Sequence, residues 1–181
     1  YGFPREIYTQ AGGLGFLGIG YPEQYGGTGE GDLFMKVAAS EALMKSASGG
    51  LVASLGSIDI ALPPIALWGS DELKEKIIPA AIRGEKICAL AITEPNTGSD
   101  VANIKTKAIK EGDFYRVNGS KMFITSGIRA DYYTVAVRTG SDGYGGISLL
   151  LIEKGTPGFS VGRKLKKMGW HASDTAELFF E

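Results

Sequence analysis

The hydrophobic periodicity of this chain changes once, near Glu85, and that change dictates two differently built halves. Before it, apolar residues recur at the three- and four-residue spacing of a helix. After it they alternate, in short runs separated by turn residues. No helical stretch interrupts the second half, so its strands are expected to follow one another through tight turns rather than helical crossovers. The pattern predicts an α+β chain. An all-α helical domain spans 1–85, and an antiparallel β-barrel or sandwich domain spans 86–181.

Within the helical half, Pro4-Arg5-Glu6-Ile7-Tyr8 starts a short helix with Pro and an acid in its first turn, weakened by Gly12 and Gly13. A Gly-rich loop follows from about Gly18 to Gly31. A second helix carries Leu33, Val37 and Met44, with Asp32 as its N-cap. The segment Leu51–Leu62 is apolar nearly all round, as a buried helix is, and Pro63-Pro64 breaks it. Ser70 caps a fourth helix that Gly84 stops, with Pro79 predicting a kink or an early end.

The alternating half predicts strands near 87–92, 103–110, 113–119, 121–125, 132–138, 147–153, 159–163 and 175–181. Glu111-Gly112-Asp113 reads as a hairpin turn, and Asn118-Gly119 as a stronger one.

Composition excludes several functions. The 181 residues are 44% apolar and 22% charged, which supports a packed core and not a disordered chain. A net charge of −1 leaves no electrostatic footprint for nucleic acid. The cluster Arg163-Lys164-Leu165-Lys166-Lys167 reads as a solvated edge, or as a contact for a phosphate-bearing ligand or a partner. One cysteine, Cys88, permits no internal disulfide and sits in an apolar strand as a small hydrophobe. One histidine, His171, argues against a zinc cluster or a Ser-His-Asp triad, so no metal is expected. No apolar run is read as a membrane span. The chain opens on Tyr1 and closes on Leu178-Phe179-Phe180-Glu181, so both ends look cut and targeting is not legible there.

Two segments carry chemistry. In Ala91-Ile92-Thr93-Glu94-Pro95-Asn96-Thr97-Gly98-Ser99-Asp100, a strand opens into a turn dense in hydroxyls and carboxylates. In Gly119-Ser120-Lys121-Met122-Phe123-Ile124-Thr125-Ser126-Gly127, an aromatic ring and a hydroxyl two positions apart share one sheet face. Thr93 and Thr125 can offer hydroxyls to the edge of a planar ring, Phe123 can lie against its face, and Ser99 with the N–H groups near Gly98 can serve diphosphate oxygens. The same residues also suit an ordinary strand-exit loop, and both readings stand on chemistry alone. Glu94 or Asp100 can act as a base only if its pKa is raised. Gly13-Leu14-Gly15-Phe16-Leu17-Gly18 matches GxGxxG, but it lacks the preceding strand and following helix of a dinucleotide site.

These two segments resemble the acyl-CoA dehydrogenase family. So do Gly15-Phe16-Leu17-Gly18, Tyr21-Pro22-Glu23-Gln24-Tyr25-Gly26-Gly27, Lys167-Met168-Gly169-Trp170 and Ser173-Asp174-Thr175-Ala176-Glu177-Leu178-Phe179-Phe180-Glu181. The tail is most similar to long-chain or branched-chain members. The resemblance implies a helical N-terminal domain, a β middle domain and a C-terminal helical domain missing here. It implies FAD, held by Leu90, Ala91, Ile92, Thr93, Gly98, Ser99, Phe123, Ile124 and Thr125. Thr93 would meet the pyrimidine side and Thr125 the region of N5. Ser99, Tyr144 and Gly145 would approach the acyl-CoA substrate. Phe123 stands where many relatives carry Trp.

The implied reaction is α,β-desaturation of an acyl-CoA thioester in fatty acid β-oxidation, with electrons passed to an electron-transfer flavoprotein. The catalytic base is expected C-terminal to Glu181, so no catalytic residue is assigned here and the chain alone is expected to be inactive. The full-length protein is expected to be a homotetramer, in the bacterial cytoplasm or the mitochondrial matrix. The alternatives are an acyl-CoA oxidase or flavin monooxygenase on the same scaffold, or a non-catalytic binding module if the natural chain ends here.

Overall fold

The computed structural model describes residues 3–29, 31 and 33–181, so the Asp32 cap lies outside the described residues. Six α-helices precede seven strands among them. The chain divides into two compact units. One comprises Tyr1–Cys88 with Lys167–Ser173, and the other comprises Ala89–Lys166 with Asp174–Glu181.

In the helical unit, α1 (Arg5–Gly13) and α6 (Asp71–Ile82) carry much of the core. Ile77, Ile78, Ala81 and Ile82 form one buried stripe at helical spacing. Each such isoleucine contributes on the order of 1.5–3 kcal/mol by leaving water. Ser70 caps α6 as expected, its hydroxyl accepting the Leu73 N–H at 3.3 Å. The helix runs through Pro79 instead of ending there, and closes at Gly84, whose φ of +70° fits a left-handed C-terminal stop. Gly84 also packs where a Cβ would lie 2.0 Å from the Tyr8 carbonyl oxygen.

The apolar segment after residue 48 is not one helix. It folds as α3 (Gly49–Leu55), α4 (Ile58–Ala61) and α5 (Pro63–Trp68). Pro63 and Pro64 open α5, because a proline in the first turn sacrifices no helical hydrogen bond. By length and composition alone Gly49–Trp68 would suffice to cross a membrane, as an apolar core segment also can, but here it is broken into three short helices. Its inner residues are committed to the unit's own core: Leu55, Ile58, Ala61 and Leu62 are buried, and the Tyr8 hydroxyl meets the Ser57 hydroxyl at 2.7 Å. Helix α2 (Leu33–Met44) departs from the amphipathic expectation. None of its described side chains is buried, and Leu33, Phe34, Met35, Val37 and Met44 are exposed.

The second unit holds a curled sheet. Its strands are β1 (Cys88–Ala91), β2 (Lys107–Glu111), β3 (Phe114–Thr125), β4 (Tyr132–Arg138), β5 (Ile147–Glu153), β6 (Phe159–Lys164) and β7 (Thr175–Phe180). Their order is β1-β4-β2-β3-β7-β6, with β5 also on β4. The pairings β2–β3, β3–β7, β4–β5 and β6–β7 are antiparallel. A single parallel bridge, Lys107 to Arg138, joins β2 to β4 and makes the sheet mixed.

The turn at Asn118-Gly119 is absent. Strand β3 runs straight through it, merging the two strands predicted there. Gly119 serves another purpose: its φ is +147°, and a Cβ would lie 2.7 Å from Thr106 Cα. Only glycine permits that approach between neighbouring backbones.

Candidate functional site

The exit of β1 folds back immediately. Glu94 and Thr97 exchange backbone hydrogen bonds of 2.8 and 3.2 Å around Pro95-Asn96. The Thr97 hydroxyl donates to the Asn103 carbonyl at 3.3 Å, and the Asn103 amide donates to the Asp100 carboxylate. The polar loop therefore has internal order before any ligand is considered.

This loop lies against the end of β3. The Met122 N–H donates to the Thr93 carbonyl at 2.8 Å. One residue earlier, the Lys121 ammonium donates to the Ile92 carbonyl at 2.8 Å and to Glu94 Oε1 at 3.0 Å. Glu94 also accepts the N–H groups of Lys105 (2.7 Å) and Thr106 (2.9 Å). Both charged residues are buried, with Lys121 at 0% and Glu94 at 4% exposure. Burial alone would raise the Glu94 pKa. Hydrogen bonds from the Thr106 side chain, the two N–H groups and Lys121 outweigh it, and the carboxyl sits below its ordinary value. Burial pulls Lys121 below its ordinary value, with Glu94 offsetting part of the fall. Glu94 is thus a structural anion and not a base.

The pair sits beside a β-bulge. The β3–β7 register slips by one residue between Lys121 and Ile124, and Phe123 takes φ +61°. A positive φ at a bulky residue costs on the order of 1–3 kcal/mol. The bulge restarts the alternation, so Ile124 is buried while Phe123 (60% exposed) and half-buried Thr125 face outwards. Past the strand, Ser126 N–H donates to the Asp174 carbonyl at 3.0 Å, and the Ile128 N–H to the Asp174 carboxylate at 2.8 Å. The far end of the edge is therefore pinned as well.

The residues singled out in sequence are distributed as follows. Leu90, Ile92 and Thr93 are half-buried, and Gly98 and Ser99 are exposed on the loop. Ala91 and Ile124 are buried, so their side chains serve packing and only their backbones can meet a ligand. Tyr144, 71% exposed, and Gly145 sit on a separate turn between β4 and β5. That turn is tied to the 101–104 segment through Arg138, whose guanidinium donates to carbonyls on both. Sequence reasoning passed over Lys121 and Arg138. The available signal for Lys121 was a charged residue at a core-facing position of an alternating strand, since buried Lys is rare unless paired.

Of the remaining candidates, Cys88 is a buried thiol. His171 is exposed, its Nε2 2.9 Å from the Lys167 carbonyl oxygen. Arg163 of the basic cluster pairs with Glu177 at 3.2 Å. No group of three metal-ligating side chains occurs among the described residues. The glycine-rich hexapeptide follows α1, not a strand.

The edge thus offers neutral hydroxyls, an exposed aromatic face and a small polar loop, with the buried Glu94 carboxylate paired to Lys121 from behind. Such a donor set fits a flat heteroaromatic ring with a polar rim and a diphosphate tail.

Comparison with known proteins gives the same direction. Residues 2–85 match the family model "Acyl-CoA dehydrogenase, N-terminal domain", and residues 89–181 match "Acyl-CoA dehydrogenase, middle domain". An acyl-CoA dehydrogenase of Bacillus subtilis is 41% identical over 180 residues, which are 99% of this chain and 47% of that protein. The crystal structure of an acyl-CoA dehydrogenase from Geobacillus kaustophilus superposes with a TM-score of 0.91 at 47% identity, covering 99% of this chain and 47% of that one. A structure of PigA with FAD and proline gives a TM-score of 0.94 at 34% identity, again covering 99% and 47%. The chain spans about half the length of the curated relatives it matches.

Proposed function

Because the chain belongs to the acyl-CoA dehydrogenase family, we propose that it supplies the flavin-facing edge of an FAD-dependent enzyme that desaturates acyl-CoA thioesters. The observation carrying this reading is the Met122–Thr93 hydrogen bond, which puts the β1 exit beside the bulged end of β3. That contact supports a reading in which Thr93, Phe123 and Thr125 share one surface.

In this reading the Thr93 and Thr125 hydroxyls orient the ring by its polar edge, and Phe123 packs against its face. Leu90, Ala91, Ile92 and Ile124 present backbone and apolar surface around it. Ser99 and the open backbone at Gly98 receive diphosphate oxygens, and Ser99 also borders the thioester. Tyr144 and Gly145 meet the CoA portion. FAD, when bound, supplies the acceptor for the hydride leaving the β carbon. The chain's own residues contribute orientation, which accounts for a large share of such a rate through proximity alone.

Neither carboxylate at this edge takes the α proton. Glu94 is held as an anion by four donors with its pKa lowered, and Asp100 accepts from Asn103. The proton acceptor is assigned to a carboxylate C-terminal to Glu181. An electron-transfer flavoprotein as acceptor and a homotetrameric full-length protein belong to the same proposal.

The test is direct. The full-length protein is purified, its flavin spectrum recorded, and straight-chain and branched acyl-CoAs of increasing length added without air. Bleaching by an acyl-CoA, with slow reoxidation by oxygen, is expected. An uncoloured protein that takes up no FAD overturns the proposal, and rapid peroxide formation under air assigns an oxidase instead.

A further inference from the structure

Arg138 ends β4 and is an arginine without an acid. Its Nε donates to the Ile104 carbonyl at 2.9 Å, and Nη2 to the Ala102 carbonyl. On its other side Nη1 donates to the Ser141 carbonyl at 2.6 Å and the Gly143 carbonyl at 3.2 Å. No carboxylate pairs with it among the described residues. Two loops thus place carbonyl groups on one planar fork, which a lysine's compact ammonium cannot span.

The loop beyond β4 is shaped around this guanidinium. Thr139 and Gly140 N–H groups both donate to the Gly146 carbonyl, at 2.9 and 3.1 Å, and close the loop's neck. A Cβ at position 146 would lie 1.8 Å from the Ser141 oxygen and 2.9 Å from Arg138 Nη1. The loop therefore closes onto the arginine only because residue 146 is glycine. At the other end, the 101–104 turn is the same segment that holds Thr97 through the Asn103 carbonyl. Thr97 and Arg138 thus hold adjacent carbonyls of one short turn, 102–104, and Arg138 carries the link on to the Tyr144 loop.

We infer that Arg138 is a positioning residue that locks the Tyr144 loop to the Thr97–Asp100 loop and thereby sets the grip on the CoA thioester. It touches neither flavin nor substrate. It fixes the spacing of two loops that do, and the inference rests on the acyl-CoA reading above. A fork that only stabilised the fold would leave substrate binding and turnover in their original ratio.

The test uses full-length holoprotein carrying Arg138→Lys and Arg138→Ala. Steady-state kinetics with the best acyl-CoA are expected to show KM raised about tenfold, as loss of charge-assisted hydrogen bonds implies. Turnover number and flavin spectrum are expected to stay at wild-type values. Hydrogen exchange is expected to show peptides covering 95–104 and 139–146 losing protection together in both variants. An unchanged KM, or loss of protection in only one of the two peptides, overturns the inference. Wild-type protein inert toward every acyl-CoA defeats the functional reading before any variant is compared. In that case the exchange experiment alone still decides the loop coupling.

Discussion

Removing the Lys121 ammonium isolates a buried charge, and its consequence can be worked from the structure. Lys121→Met keeps the apolar stem but leaves the Glu94 carboxylate, 4% exposed, with only its neutral donors. An uncompensated buried charge of this kind costs about 3–5 kcal/mol. For a chain of this size that is a fall in midpoint of about 10 °C, at about 2–4 °C per kcal/mol. The partner variant Glu94→Gln/Lys121→Met removes both charges and keeps an acceptor for the Thr106 N–H. It is expected to be more stable than Lys121→Met alone, with a coupling of about 1–3 kcal/mol. Urea unfolding followed by circular dichroism supplies both numbers.

The pH dependence carries its own sign. Glu94 has a folded pKa below its ordinary 4.5. Its stabilisation is therefore fully present above 4.5 and disappears as pH falls through the lower folded value. In Lys121→Met the cation is gone and the folded pKa rises. The gap between wild type and variant must then narrow as the solution is acidified towards pH 4. A Lys121→Met protein within about 1 kcal/mol of wild type, or additive single and double variants, would refute the reasoning.

Two further outcomes follow from the same edge. Phe123→Ala is expected to weaken FAD binding about three- to tenfold, the worth of an aromatic contact, read by flavin fluorescence titration. Phe123→Gly is expected to bind as weakly yet unfold at higher urea than Phe123→Ala, because φ +61° suits glycine. Gly119→Ala is expected to destabilise by more than about 2 kcal/mol, since both its φ and the 2.7 Å approach to Thr106 oppose a side chain. Thermal melts check it, and a neutral result would contradict the close-approach role.

Much of this architecture was written in local pattern. Runs rich in β-branched and aromatic residues between turn signals located the strands, and Ser70 and Gly84 marked the ends of α6 because caps are chemically specific. The errors have a common origin in contacts distant along the chain. Asn118-Gly119 has turn chemistry, yet the glycine is required by Thr106, thirteen residues earlier. The bulge after Lys121 appears only in register with β7, and it explains how Lys121 is buried while Phe123, two residues further on, is exposed. The role of Lys121 was not legible because its partner, Glu94, is 27 positions away. That the Thr93 and Phe123 segments carry the chain's densest chemistry was legible, whereas the charge pair supporting them and the arginine fork behind Tyr144 were not.

The central claim is that the β1 exit and the end of β3 form one surface for the flavin. The most direct measurement is FAD affinity and absorption of the full-length protein carrying Thr93→Val and Thr125→Val together. Loss of two ring-orienting hydroxyls predicts at least about tenfold weaker binding and a shifted flavin band, in a protein that unfolds at the wild-type urea midpoint. Unchanged affinity and an unshifted spectrum would contradict the account.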